Sequence, residues 1–518
     1  MKPWIRILLC VLPAMVCAPV LGAPGDKAAG ASFSLPAPPP LTGIAPPRPD
    51  LTPYVANHDA LVVLGKALFW DRELRGRGVA CATCHFRAGA GDALLPAEAC
   101  GLKAPLRDAP SVINAVFFRR GFWDGRADDV FNGRNPWGRR DPDAIVLKHA
   151  GQGWSRERVA IANLALASLS TDPVMLCSDR PLADLGRVVL PRRPLAAQKV
   201  NPRDSVLGPY LDGSGVGLIG RYADWVRKAF RPEWWSGGVV PDGWPQGGRD
   251  HMEANFPLFW GIALAAYQAT LVSDDSRYDR ASRRQAGAVF SRQEWLGFQL
   301  FRSSSTGCIT CHGGPLFSGA ALTDHWVDRI PSGEGPRLVD GGFFNLGLDR
   351  YGDPGVGARD PWGRPLSLAR RWLDGFTEPA VDGCRFLVPL TGDAGSGCRP
   401  KPFTAPALAV DGAFKTPSLR NVALTPPYFH SGEIPTLDEA IAVFRKGGEK
   451  LPALALSFAD QAALVAFLKT LTDDRVRCEG APFDHPALTV VRGGGASALE
   501  LPAVGADGLP GLHRACLD

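Results

Sequence analysis

The chain has 518 residues, so at about 150 residues per domain we expect several structural units rather than one. Apolar residues make up 45%, charged residues make up 21%, and the net charge is +5, which excludes an acidic disordered chain and a strongly basic nucleic-acid binder. Glycine (59) and proline (47) are frequent, so we expect long ordered loops.

The first 23 residues are predicted to be a signal peptide. Residues 1–6 are basic, and residues 7–23 are mostly apolar, contain Pro13 and Pro19, and end on small residues suited to cleavage. A membrane span needs about 20 apolar residues without such prolines, so an anchored protein is the weaker alternative. We expect an exported protein, periplasmic or secreted, with no membrane span after the signal is removed.

The rest of the chain is divided by composition. Residues 24–50 carry eight prolines and are predicted to form an extended tether that buries little. Residues 51–285 and 286–490 are predicted to be two units, with the boundary after an arginine-rich stretch, and residues 491–518 are predicted to be a tail.

The sequence indicates an internal duplication of mostly helical units. Leu-Gly-x-x-Leu-Phe occurs at residues 64–69 and again at 296–301, each time ahead of a cysteine pair. Ser291 and Thr436 are each followed three residues later by glutamate, which predicts helix starts with a capping box. Residues 256–272 are apolar enough to predict a buried helix.

Two segments, at residues 81–85 and 308–312, read Cys-x-x-Cys-His, the attachment motif of c-type haem. Two thiols three positions apart can bond to two carbons of one porphyrin, and the histidine then lies beneath the iron as an axial ligand. Zinc would need two more ligands at each site, and a thioredoxin-like pair would leave both histidines unexplained. We predict two covalently bound haem c groups, held through Cys81, Cys84, Cys308 and Cys311, with His85 and His312 on the irons.

Six further cysteines lie outside the signal peptide and the motifs: Cys100, Cys177, Cys384, Cys398, Cys478 and Cys516. An even number is compatible with disulfides in an oxidising compartment, and only the pair of Cys384 with Cys398 is suggested by proximity in sequence.

Four blocks, at residues 64–71, 122–127, 415–422 and 427–432, resemble signatures of the bacterial di-haem cytochrome c peroxidase superfamily. That superfamily includes peroxide-reducing enzymes, a methylamine-utilisation enzyme that oxidises a partner protein, and di-haem rubber oxygenases. The resemblance implies an all-α fold of two cytochrome c-like haem domains with long irregular loops. It also implies that Trp123 bridges the two haems.

The sequence departs from the family pattern at the first haem. A second histidine often follows about 16 residues after the first motif, but that position is Gly101, so the iron above His85 is predicted to be open for peroxide or dioxygen. The family's glutamine and glutamate, 10 and 20 residues after the bridging tryptophan, are replaced by Gly133 and Asp143. Asp143, or Asp141 beside it, would serve as the acid and base, or Asp143 is a solvated residue of a turn. Residues 131–138 instead resemble the rubber oxygenases, with Trp137 lining an apolar pocket suited to dioxygen.

The second haem also departs from the pattern, because Phe444 occupies the position of the family's methionine or tyrosine ligand. By resemblance to the rubber oxygenases, His485 is predicted to ligate the second iron opposite His312. A six-coordinate second haem would relay electrons, and the open first haem would carry the chemistry.

The family's calcium site maps onto Asp108, Thr425 and Pro427, the last two through carbonyl oxygens, and hard oxygen donors suit this ion. We therefore predict one calcium ion near the bridging tryptophan; an aspartate that caps a turn is the alternative.

The resulting functional prediction is an exported peroxidase that reduces hydrogen peroxide with electrons from a small cytochrome c or cupredoxin. A haem dioxygenase, or an oxidase that modifies a protein, is the alternative among enzymes. A two-haem electron carrier is the alternative without catalysis.

Overall fold

The computed structural model describes residues 34–74, 78–86, 107–151, 153–172, 181–321, 327–330, 337–348, 352–374, 407–490 and 499–508. The helices of this part are α1 (His58–Trp70), α2 (Cys81–His85), α3 (Ala165–Ser170), α4 (Leu182–Val189), α5 (Tyr222–Ala229), α6 (His251–Ala254), α7 (Phe256–Gln268), α8 (Arg277–Ser282), α9 (Arg292–Phe301), α10 (Cys308–Cys311), α11 (Leu368–Leu373), α12 (Leu437–Lys446), α13 (Phe458–Lys469) and α14 (Asp474–Arg477). The strands are β1 (Val146–Ala150), β2 (Gly153–Glu157), β3 (Val327–Ile330), β4 (Arg337–Asp340), β5 (Phe343–Phe344), β6 (Ala407–Leu408), β7 (Phe414–Lys415), β8 (Leu488–Val490) and β9 (Leu499–Leu501). Short 3-10 helices lie at Ala115–Phe117, Gly138–Arg140, Gly208–Tyr210, Pro232–Trp234 and Val422–Leu424.

Two helix pairs pack in the same way, each through the glycine of the repeated Leu-Gly motif. Helix α1 meets α7 at Gly65, where an added Cβ atom would lie 1.9 Å from the carbonyl oxygen of Ala263. Helix α9 meets α13 at Gly297, where an added Cβ atom would lie 1.9 Å from the carbonyl oxygen of Ala463. Because only glycine allows so close an approach, the two crossings confirm the predicted duplication. We call the surroundings of α1, α2 and α7 the first haem unit, and those of α9, α10 and α13 the second haem unit.

Each helix pair is part of its own hydrophobic core. The first core is the larger and includes α1, α5 and α7, with Trp70 and Tyr267 fully enclosed. The second core is a group of aromatic rings whose centroids lie 5.0–6.4 Å apart: Tyr278, Phe290, Phe298, Phe301, Phe317 and Phe467. Edge-to-face aromatic pairs add about 0.5–1.5 kcal/mol each to the free energy gained by burying their area.

Both ends of the described chain pack on the unit that lies farther away in sequence. Leu41, in the proline-rich lead-in, is fully buried, and its N–H donates to a carboxylate oxygen of Asp279 at 2.9 Å. At the other end, Leu488 and Leu501 of the β8–β9 hairpin join the first core, and β8 lies against α2. Most described residues of the lead-in are not buried, but Leu41 anchors this segment to the second unit, which the predicted tether did not include. Composition alone does not show that one leucine between prolines enters a core formed by distant residues.

Small sheets correct the prediction of an all-α fold. Across the described ranges, β1 pairs with β2, β3 with β4, β5 with β7 and β8 with β9, all antiparallel, and β6 adds to β4 in parallel. These strands have two to five residues and lie in the long connections between helices. Backbone groups buried in such loops need hydrogen-bond partners, and short ladders supply them. The fold is therefore mainly helical, with local sheets.

The local helix signals are confirmed. Ser291 and Thr436 are the N-cap residues of α9 and α12, and each accepts a hydrogen bond from the backbone N–H of the glutamate three residues later. The predicted buried helix is α7, whose residues are all buried. In the described ranges, no helix combines the length and the apolar character needed to cross a bilayer.

We predict that Gly297→Ala lowers the free energy of unfolding by about 3 kcal/mol, because the new methyl group would overlap a backbone oxygen that cannot move independently. Urea denaturation of the purified protein measures this change. Gly448→Ala is the matched control, because Gly448 lies in the same half of the chain with no atom within 4 Å of its added Cβ. Equal stability of the two variants would contradict the close helix crossing.

Candidate haem centres

The first attachment motif forms α2, and the last residue of this helix is a histidine bonded to the backbone. Cys81 and Cys84 are one helical turn apart, so their side chains project from the same face. The His85 Nδ1 atom lies 3.0 Å from the carbonyl oxygen of Pro110. Because a carbonyl oxygen can only accept, Nδ1 carries the proton and donates it, and Nε2 keeps its lone pair for a metal.

The second attachment motif repeats this arrangement. The His312 Nδ1 atom donates to the carbonyl oxygen of Phe317 at 3.0 Å, and burial lowers the pKa of His312 to about 4, so the ring is neutral at physiological pH. Burial also raises the pKa of the Cys308 thiol, and it raises the pKa of Cys311 to about 12. A neutral imidazole beside two apolar thiols fits covalent haem attachment.

The other cysteines are distinct from these sites. The four motif cysteines are not joined in disulfides, whereas Cys478 is disulfide-bonded to a partner that lies outside the described residues. The suggested pair of Cys384 with Cys398, and Gly101 after the first motif, also lie outside the described residues.

Trp123 is held at three points in a buried loop. Its indole N–H donates to the carbonyl oxygen of Asp108 at 2.8 Å, and its own carbonyl oxygen accepts from the Lys415 N–H at 2.8 Å. The edge of His430 packs against the indole with a centroid separation of 6.5 Å. His430 is stacked on Phe414 at 3.6 Å, so residues from both halves of the chain enclose the tryptophan.

The backbone after Trp123 turns tightly within a Trp-Asp-Gly sequence. Gly125 has a φ of +67°, and an added Cβ atom would lie 2.7 Å from Arg120 Nε and 2.8 Å from the ring of Phe343. The Arg120 guanidinium donates to Asp340 at 2.6 Å and to the carbonyl oxygen of Leu366 at 2.9 Å. The loop therefore closes onto the second half of the chain.

Ion pairs fix the same loop on its other side. Arg107 donates to Asp124 at 2.7 Å and, through two nitrogens, to Asp353 at 2.7 and 2.6 Å. Arg126 lies 2.9 Å from the Asp124 carboxylate. Burial raises the pKa of Asp124, but the guanidiniums of Arg126 and Arg107 lower it further than burial raises it. Asp124 is thus an anion that two arginines hold in place.

The residues predicted to bind calcium lie partly together. Asp108 and Pro427 approach the same glycine, because an added Cβ atom on Gly432 would lie 3.4 Å from the Asp108 Cβ and 3.2 Å from the Pro427 ring. The Thr425 hydroxyl donates to the carbonyl oxygen of Val422 at 3.1 Å. Within the described residues no three His, Cys, Asp or Glu side chains are grouped as a metal site. The calcium ion stays a prediction that depends on carbonyl donors.

The two residues predicted for the distal side of the first haem lie in different environments. Asp143 is exposed in a turn, where its N–H donates to the Asp141 carboxylate at 2.9 Å. Trp137 is half-buried, with Trp362 edge-on to it at 6.2 Å between centroids. The structure thus supports the interpretation of Asp143 as a solvated turn residue, and it shows an aromatic pair at Trp137.

His485 lies in the first core and not beside the second attachment helix. Its ring is stacked on Trp70 with a centroid separation of 4.6 Å and an interplanar angle of 7°. Its Nδ1 atom lies 2.8 Å from the carbonyl oxygen of Pro486, and its Nε2 atom lies 3.2 Å from the Glu479 carboxylate. Both nitrogens are therefore occupied by protein acceptors. The structure gives no support to the prediction that His485 ligates the iron above His312, because the chain segment that carries it packs on the other unit.

The parts of the site that the sequence did not predict are mostly backbone carbonyl oxygens and ion pairs between distant residues. The carbonyl oxygens of Pro110 and Phe317 orient the two histidines, and carbonyl groups have no sequence signature. The arginine at 107 and the aspartate at 353 lie 246 positions apart, so no local pattern indicates their pairing.

Two helices that present paired thiols, each followed by a histidine in the tautomer that binds iron, define a di-haem c-type cytochrome. Residues 59–168 match a family model described as di-haem cytochrome c peroxidase. The chain is 29% identical over 482 residues to the cytochrome-c peroxidase IdrP1 of Denitromonas iodatirespirans, covering 90% of this chain and 93% of that protein. It is 26% identical to the methylamine utilization protein MauG of Methylorubrum extorquens (82% and 81% covered) and 25% identical to the cytochrome c551 peroxidase of Pseudomonas aeruginosa (80% of each).

The chain is thus similar over most of its length to members of the di-haem cytochrome c peroxidase superfamily, and it is an oxidoreductase with two covalently bound haem c groups. Among solved structures, a MauG-like protein associated with microbial copper homeostasis is similar at 21% identity and a TM-score of 0.44, covering 85% of this chain and 96% of that one.

We predict that Cys81→Ala combined with Cys84→Ala gives exported protein with one haem instead of two, because the remaining motif folds around its own glycine crossing. Cys308→Ala combined with Cys311→Ala is the reciprocal variant. The haem content per polypeptide, measured by pyridine haemochromogen absorbance and intact mass, should fall by half in each. A wild-type protein with fewer than two haems would contradict the assignment.

We predict that His485→Ala lowers the free energy of unfolding by about 2–3 kcal/mol, because it removes a buried stacked ring and leaves the Glu479 carboxylate without this partner. His58→Ala, at an exposed helix start, is the control. In the background of Cys81→Ala and Cys84→Ala, the visible spectrum of the second haem should not change. Loss of its low-spin bands would show that His485 is the ligand after all.

Proposed function

We propose that this enzyme reduces hydrogen peroxide at the haem held by His85. Electrons would come from a small periplasmic cytochrome c or cupredoxin, enter at the haem held by His312, and pass Trp123. The observation that carries the proposal is the placement of Trp123, which hydrogen bonds and ring contacts from both halves of the chain hold immobile. The peroxidase names of the relatives and the predicted signal peptide support the reaction and the compartment.

When bound, haem supplies an iron that takes up peroxide and exchanges electrons. The protein orients the histidine ring that would bind this iron. The hydrogen bond from the His85 Nδ1–H to Pro110 fixes the ring and makes Nε2 a stronger electron donor to the metal. Because Trp123 is buried and bonded at its indole nitrogen, its position needs no rearrangement between successive electron transfers.

The exposed position of Asp143 favours solvent as the source of the protons for this reaction. Reduction of one hydrogen peroxide molecule to two waters consumes two electrons and two protons, and each electron comes from the donor protein. Asp143 is exposed and its backbone is bonded within the turn, so a proton taken up there exchanges with bulk water. We therefore assign proton supply to solvent and not to a buried carboxyl group at this position.

A dioxygenase is the second candidate, because one observation favours it. The aromatic pair of Trp137 and Trp362 offers an apolar surface next to the segment that resembles the rubber oxygenases, with no acid at the position of the family's glutamate except the exposed Asp143. Dioxygen binding needs no proton relay of that kind. Oxygen uptake with an apolar polyisoprene substrate, compared with peroxide turnover, separates the two candidates.

We predict that Trp123→Phe lowers kcat for peroxide reduction at least tenfold, because the phenyl ring is harder to oxidise and lacks the N–H that bonds Asp108. Asp143→Asn should change kcat less than twofold. Both are measured by oxidation of a reduced cytochrome c at saturating peroxide. A larger loss in Asp143→Asn than in Trp123→Phe would reverse our assignment of the two residues.

A further inference from the structure

We propose that Lys415 binds a propionate carboxylate of the haem held by His312, at the edge of that haem that faces Trp123. The proposal depends on the two attached haems and not on peroxide turnover.

The charge of Lys415 has no counterpart among the residues that the structure describes. Its Nζ atom donates to the carbonyl oxygen of Arg120 at 3.0 Å and lies 4.7 Å from the centroid of Phe118, and no described carboxylate is within 4.0 Å of it. The neighbouring carboxylate is Asp124, which two guanidiniums already hold.

Several other enclosed cations each have a carboxylate partner, which Lys415 lacks among the described residues. Lys66, which is fully buried, has Asp204 at 2.8 Å and Asp484 at 3.5 Å. The arginines around the tryptophan loop are paired in the same way, each with a carboxylate at 3.0 Å or less: Arg107 with Asp353, Arg120 with Asp340, and Arg126 with Asp172. An ammonium without an anion is costly to enclose, and burial lowers the pKa of Lys415 to about 7. An anionic ligand would remove this penalty.

The chain segment around Lys415 lies close to the residues of the second attachment motif. The backbone of Lys415 is bonded to Trp123, and two residues later the Pro417 backbone lies close enough to the His312 ring to affect its pKa. Between them, the Thr416 carbonyl oxygen accepts from the Ser318 hydroxyl at 2.6 Å. Residues 415–418 therefore run along the segment that follows the second attachment motif, since the Ser418 hydroxyl also donates to the Leu316 carbonyl oxygen at 2.6 Å.

Haem propionates are the carboxylates that this site would accept. They lie at one edge of the porphyrin, carry negative charge, and an ammonium recognises such a group as a point charge. A cation at this edge offsets the propionate charge and so favours the reduced iron, which has one positive charge fewer than the oxidised iron. Net charge near the cofactor is one of the means by which a protein sets its potential.

The experiment compares Lys415→Gln with Lys415→Arg. Glutamine keeps an N–H donor for the Arg120 carbonyl oxygen but lacks the charge, whereas arginine keeps the charge. The reduction potential of each haem is measured by spectroelectrochemical titration of protein whose content of two haems has been verified. Lys469→Met is the control, because Lys469 is an exposed cation at the end of α13 in the same unit.

We expect Lys415→Gln to lower the equilibrium constant for reduction of the second haem about tenfold, which is about 59 mV for one electron. Lys415→Arg should stay within threefold of the wild type, and Lys469→Met should not differ from it. An unchanged potential in Lys415→Gln overturns the proposal, and a shift confined to the first haem overturns the assignment to His312. If Lys415→Gln fails to bind two haems, the test depends on Lys415→Arg alone. Because arginine keeps the positive charge, a change of more than threefold in the equilibrium constant for reduction of the second haem would contradict a role based on charge. A protein inactive with peroxide would still give these potentials, so failure of the peroxidase proposal is distinguishable.

Discussion

A hydrogen bond from histidine to the backbone is the interaction on which both haem centres depend. The carbonyl oxygens of Pro110 and Phe317 each accept from the Nδ1–H of a motif histidine at 3.0 Å, and this determines which nitrogen is left to bind iron. A side-chain acceptor could rotate or titrate, whereas a carbonyl oxygen is fixed by the fold and has no charge to lose. The burial that keeps His312 neutral acts in the same direction, because an imidazolium cannot bind a metal.

The loop that carries Trp123 is fixed in position by charges that pair between the two halves of the chain. Arg107 pairs with Asp353 and Arg120 pairs with Asp340, so the loop of Trp123 is held by residues more than 200 positions away. Partly buried ion pairs of this kind add little net stability, because desolvation offsets their attraction. These ion pairs instead favour a single conformation of the Trp123 loop, because any other conformation would leave an enclosed charge without its partner. The electron relay that we propose for Trp123 would benefit from such an arrangement, because tunnelling depends steeply on distance.

Features that depend on local sequence could be predicted from the sequence, whereas features that depend on contacts between distant residues could not. The attachment motifs, the N-cap residues Ser291 and Thr436, and the helix ahead of each cysteine pair could be predicted from sequence, because each is set by residues within one helix or turn. The position of His485 could not, because it depends on where residues 473–490 and 499–508 pack after the last long helix. The small sheets and the burial of Leu41 were missed for the same reason: their partners lie far away in the sequence.

The contact of β8 with α2 has a consequence for biogenesis. The β8–β9 hairpin that completes the first core lies far later in the chain than the attachment cysteines of that core. Until this hairpin has been synthesised, helix α2 lacks its contact with β8. Cys81 and Cys84 lie on α2, so the first unit reaches its final packing around them only when the later segment has folded.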